Sequence, residues 1–165
     1  MLYFSYGSNM SIIRLHERVP SAKFVSIAII LGHELRFHKI SIDGSGKCDA
    51  HETKNHKHVV IGVVFEISES GKHKLDRKEG LGSGYEEKTI ELIAQSGETI
   101  NASTYYATNI DSYIKPYKWY KHHVLTGAQE NGLHNTYVTQ IESIESIDDP
   151  DPERHESEMT IYANR

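Results

Sequence analysis

The sequence predicts an α+β domain built on a mixed, curved or barrel-like sheet with a few short helices, in preference to a doubly wound fold. Two observations predict it. Apolar and β-branched runs crowd the first two-thirds of the chain, whereas helix-like stretches dominate the last third, a segregation that suits α+β architecture. Turn signals at Gly44-Ser45-Gly46 and Ser96-Gly97 separate strand candidates, as hairpins require. No internal repeat is visible.

Taken in order, residues 2–6 read as a strand and residues 11–18 as a helix. Residues 24–31, 34–38 and 59–67 are too apolar or too β-branched for loops and read as strands. Residues 44–57 read as a loop, and residues 70–79 as a helix. Residues 86–93 and 99–108 face each other across Ser96-Gly97 as a hairpin. A helix over 117–130 stops at Asn131-Gly132, and one over 135–144 follows. One domain is expected over residues 1–147. From Asp148 to Glu158 the Asp- and Pro-rich composition promises too little apolar burial for order, so residues 148–165 are expected to be an acidic, flexible tail.

Composition narrows the function classes. At 165 residues, with 38% hydrophobic and 25% charged residues, the chain resembles an ordinary globular protein burying roughly two-thirds of its unfolded surface. A net charge of -5 and scattered Lys and Arg argue against nucleic-acid binding and favour a small-molecule partner. Cys48 is the only cysteine, which excludes an internal disulfide and fits a reducing cytoplasm. Neither an export signal nor a run of about 18 apolar residues is evident, so no membrane partner is expected.

Two clusters carry chemistry. Tyr6-Gly7-Ser8-Asn9 lies between a strand and a helix, where Gly7 lets the backbone turn and the next N–H groups point outward at a helix N-terminus. A carboxylate, phosphate or developing oxyanion suits such a site, although Gly-Ser-Asn is also ordinary turn chemistry. The second is Glu79-Gly80 followed by Ser83-Gly84-Tyr85. Glu79 falls at a helix C-terminus, where the dipole disfavours a carboxylate; it is either a solvated surface residue or one held for proton transfer. Cys48, Asp49, His51, Glu52, His56 and His58 crowd one stretch, but their spacing fits no closed tetrahedral zinc pattern, so no metal site is expected.

Together with Gly127-Ala128-Gln129-Glu130-Asn131-Gly132-Leu133 and the strand Ile61-Gly62-Val63-Val64-Phe65, these clusters resemble the ordered signatures of the γ-glutamylcyclotransferase family. Met10 stands where the family usually has Leu, a volume-conserving change. The resemblance implies a mixed β-barrel core, no metal or organic cofactor, and often a homodimer. It also implies a γ-glutamyl substrate whose own α-amine attacks the γ-amide carbonyl, releasing 5-oxoproline and an amine. By the same resemblance Glu79 is the general acid/base and Tyr6, Gly7, Ser8, Asn9, Tyr85 and Tyr120 bind substrate, the last two tyrosines donating from their hydroxyls. The α-amine, near pKa 7.7–8.0, lies about 3.5 units above a free Glu, a gap of roughly 5 kcal/mol that calls for a partly desolvated base. Two alternatives stay open: a cyclotransferase for γ-glutamylamines, such as an ε-linked lysine or a biosynthetic intermediate, and a non-catalytic small-anion-binding module.

Overall fold

In the computed structural model, which describes residues 1–163, five strands close into a barrel. They are β1 (Leu2–Ser5), β2 (Lys23–Leu31), β5 (Val59–Glu66), β6 (Tyr85–Ala94) and β7 (Thr99–Ala107), in the order β1-β5-β2-β6-β7. Neighbours run antiparallel except where the barrel closes, at the parallel β1–β7 contact of Tyr3 with Ser103. The sheet is therefore mixed. The hairpin anticipated around Ser96-Gly97 is β6–β7, paired from Tyr85↔Ala107 to Ile93↔Thr99. Phe4, Val60, Val63, Val64, Phe65 and Leu92 have virtually no exposure; alternate residues of a strand face opposite sides, so the consecutive Val63, Val64 and Phe65 show that β5 is buried on both faces.

Helices cover the barrel: α1 (Ile12–Arg18), α2 (Glu69–Glu79), α3 (Lys118–Glu130), α4 (Asn135–Glu142) and α5 (Pro152–Thr160). Among the described residues no helix is long and apolar enough to cross a membrane. Ser68 caps α2 by accepting from the Gly71 N–H, which satisfies one of the orphan donors of the first turn. Gly80, left-handed at φ 72°, ends that helix directly after Glu79.

Two expectations are corrected. Residues 44–57 are not all loop: β4 (Gly46–Glu52) pairs antiparallel with β3 (His33–Ile40), from His33↔Glu52 to Ile40↔Gly46. Its polar residues find tertiary partners that periodicity cannot show. Asp49 accepts from His38 at 2.7 Å and from the Ala107 N–H at 2.9 Å, while Cys48 and Ala50 turn into the core. The segment expected to be a flexible tail contains α5, begun by Asp151, whose carboxylate accepts from the Glu153 and Arg154 N–H groups, with Pro152 behind it. Its exposed face matches the acidic composition; order comes from a few polar contacts to the domain instead of a buried apolar stripe. Glu158 accepts from Arg14 and lies 2.8 Å from His123 Nε2, and Asp149 accepts from Trp119 Nε1 and takes a two-pronged contact from Arg154.

Candidate active site

The turn after β1 enters a short 3-10 turn, Ser8–Met10, whose first internal bond runs from the Met10 N–H to Gly7 O at 3.1 Å. The N–H groups of Ser8 and Asn9 precede that bond and so lack intrahelical acceptors. Gly7 is needed here for space. Its φ is -113°, open to any residue, but a Cβ would lie 3.1 Å from Cys48 Cβ and 3.3 Å from Tyr120 Oη. The third motif holds this turn in place from outside. A Cβ at Gly127 would stand 2.5 Å from Ser11 N, so α3 approaches the turn backbone directly; Asn131 Nδ2 donates to Met10 O and Glu130 Oε1 accepts from the Ile12 N–H.

All seven residues singled out in the sequence line one cleft. Tyr6, Gly7, Ser8, Asn9, Glu79, Tyr85 and Tyr120 share it with Tyr3, Ser5, Cys48, Thr104 and Tyr105. Glu79 reaches the cleft from the end of α2, its side chain 18% exposed. Its Oε1 accepts from Asn9 Nδ2 at 2.9 Å and from Arg18 Nη1 at 2.8 Å, and Arg18 Nη1 also donates to Asn9 Oδ1 at 2.8 Å. Asn9 Nδ2 donates in addition to the Tyr3 hydroxyl. No described residue donates to Oε2, which keeps its lone pairs for a ligand. The partly desolvated carboxylate anticipated from sequence is an oriented one with a guanidinium partner. Arg18 was not foreseen because its partner lies 61 residues away; the basic residue closing α1 was the only local sign of it.

The tyrosines are fixed by backbone. Tyr85 donates to Cys48 O at 2.5 Å, and the Cys48 N–H donates to the Tyr120 hydroxyl at 3.0 Å. Tyr120 accepts there and its hydroxyl also faces the Cys48 side chain, whereas the proton of Tyr85 is engaged by the Cys48 carbonyl, contrary to the expectation that both donate outward. Tyr6 donates to Tyr105 O at 2.6 Å and serves as a wall. Burial, then the neighbouring Tyr120, Tyr6 and Glu79, holds the Tyr85 phenol well above its ordinary range; burial and Cys48 do the same for Tyr120. These groups stay neutral. Burial also pushes the Cys48 thiol up, so the reactive thiolate is suppressed. Glu79 is then the one carboxylate in the lining, which holds no histidine, and the arrangement suits binding an anion and moving one proton.

A second cluster stands on the β3–β4 pair. His38, Asp49 and His51 bring one ligand atom each within 4.8 Å of one another. The His38–Asp49 contact of 2.7 Å, together with the Ala107 N–H on the other Asp49 oxygen, ties β3–β4 to the barrel edge.

Comparison with known proteins agrees with this fold. Residues 59–141 match the model of the AIG2-like family. The chain is 34% identical over 157 residues to γ-glutamylcyclotransferase of Bos taurus, covering 89% of this chain and 80% of that protein, and 32% identical to the Homo sapiens protein with the same coverage. A solved structure titled γ-glutamyl cyclotransferase superposes with a TM-score of 0.85 at 32% identity, covering 95% of this chain and 96% of the other. The ordered motifs, the closed mixed barrel and these relatives place the chain in the γ-glutamylcyclotransferase family.

Proposed function

We propose that the protein is a γ-glutamylcyclotransferase in which Glu79 moves the proton. The observation that carries this reading is Glu79 as the sole carboxylate in a cleft otherwise walled by neutral tyrosines, backbone and an inert thiol. A γ-glutamyl compound enters with its α-ammonium toward Oε2, the oxygen that no described residue occupies. Glu79 takes the ammonium proton, and the freed amine attacks the γ-carbonyl carbon. The proton on Glu79 passes to the scissile amide nitrogen; as the lactam C–N bond forms and the original amide C–N bond breaks, the second proton shed by the attacking nitrogen follows by way of Glu79, so that the amine departs as ammonium. Atoms balance without water, giving 5-oxoproline and the amine.

Positioning supplies most of the acceleration. Nucleophile and electrophile belong to one molecule, and oriented intramolecular attack is worth about 7 to 11 kcal/mol. Asn9 and Arg18 fix Oε1, so the carboxylate has one orientation before substrate arrives. The N–H groups of Ser8 and Asn9 serve the developing oxyanion or the α-carboxylate, and one such donor is worth roughly 3 to 4 kcal/mol. The Tyr120 hydroxyl turns from Cys48 to the substrate, and Tyr3, Tyr6, Tyr85 and Tyr105 exclude water. The reading is tested by comparing a γ-glutamyl dipeptide with its α-N-acetyl derivative. The free dipeptide is expected to yield 5-oxoproline and the acetylated one nothing; equal turnover of both would rule out attack by the α-amine.

A further inference from the structure

A second cleft adjoins the first, sharing Ser8, Glu79, Tyr85 and Tyr120 with it, and is walled by Arg14, Arg18, Lys39, Lys47 and Lys78. Three of these five cations are already paired: Arg14 with Glu158, Arg18 with Glu79 at 2.8 Å, and Lys47 with Asp43 at 2.8 Å. Lys78 is exposed and has no ion pair with a described residue. Lys39 is the unusual one. It is only 7% exposed, yet its ammonium makes no hydrogen bond or ion pair with any described residue; it lies 4.6 Å from the centroid of the Tyr85 ring, beside Gly84. Burial pushes its pKa down, against the pull of Glu79 and Asp43. An ammonium drawn out of bulk water with no anion in direct contact is costly, and a cleft walled mostly by one sign of charge concentrates the opposite sign.

Glu79 lines both clefts, so a γ-glutamyl group in the first places its scissile nitrogen at the boundary and its leaving group in the second. We propose that the second cleft is a leaving-group subsite for an acidic amino acid, with Lys39 and Lys78 taking its two carboxylates and Lys39 as the specificity-determining cation. The inference rests on the cyclotransferase reading for its geometry. Two cations without an ion pair match two carboxylates; a leaving group with a single carboxylate would leave one of them unmatched.

The test compares γ-glutamyl-glutamate with its near-isostere γ-glutamyl-glutamine. Wild-type kcat/KM is expected to favour the glutamate compound roughly 10- to 100-fold, as for gaining a charge-assisted hydrogen bond. Lys39→Met should abolish most of that preference and Lys39→Arg retain part of it, a pattern that a general loss of folding would not produce. Equal or better turnover of the glutamine compound by wild type would overturn the subsite. Calorimetric binding of both compounds to Glu79→Gln protein separates the two readings. Discrimination in binding without any wild-type turnover would sustain the subsite and sink the cyclotransferase reading, and equal affinities would overturn the subsite whatever the turnover.

Discussion

Glu79→Gln is expected to lower kcat/KM about 10³-fold, the middle of the range for removing a general acid/base, with folding nearly unchanged. The amide keeps the shape of the carboxylate, and its oxygen can still accept from Asn9 and Arg18 where Oε1 does now. What is lost is an ion pair whose side chains are 16% and 18% exposed, worth about 1 kcal/mol after solvent screening. Substrate binding should survive, since the backbone N–H groups of Ser8 and Asn9 and the Tyr120 hydroxyl are untouched. Steady-state kinetics beside a thermal melt decide the matter. A Glu79→Gln protein that folds and retains more than a tenth of wild-type activity would remove Glu79 from the chemistry.

Truncation after Ile147 is the second large effect. It strips Glu158 from Arg14, whose side chain is 8% exposed, and from fully enclosed His123, and it takes Asp149 from Trp119. Leaving a buried charge unpartnered costs about 3 to 5 kcal/mol, and Tm is expected to fall by roughly 6 to 12 °C or more for a chain of this size. A truncated protein melting with wild type would mean that α5 holds nothing.

The same cluster makes docking of α5 acid-sensitive. Burial pushes His123 down to about 4, against the pull of Glu158. Burial opposes ionisation of Glu158, but His123 and Arg14 outweigh it and hold that carboxyl at about 2. Both groups bind more protons unfolded than folded. The His123 contribution is full above its ordinary 6.5 and fades as pH falls toward 4; that of Glu158 is full above its ordinary 4.5 and fades toward 2. Wild type should lose stability below pH 6.5 more steeply than the truncated chain.

The barrel and the cleft were legible because their signals are local. Residues 59–67, 86–93 and 99–108 alternate or run apolar, and the glycine turn and Glu79 stand in short motifs whose order is specific. What escaped depended on distant partners. β4 reads as a loop because Lys47, Asp49 and His51 are polar, and what makes Asp49 welcome in a sheet is His38 and the Ala107 N–H. α5 was hidden by its acidic composition, although Asp151 as cap and Pro152 in the first turn are a helix start that could have been read. Lys39 and Arg14 gave no sign at all, since no local pattern distinguishes a lysine facing a cleft from one facing water.

The central claim is that the substrate's own amine, and no water molecule, breaks the γ-amide bond. Running the reaction in oxygen-18 water with a γ-glutamyl dipeptide, and weighing the products by mass spectrometry, tests it most directly. The account predicts 5-oxoproline that carries no label beyond solvent exchange measured on authentic 5-oxoproline, released one for one with the amine. Glutamate bearing a single heavy oxygen would show hydrolysis instead and contradict the account.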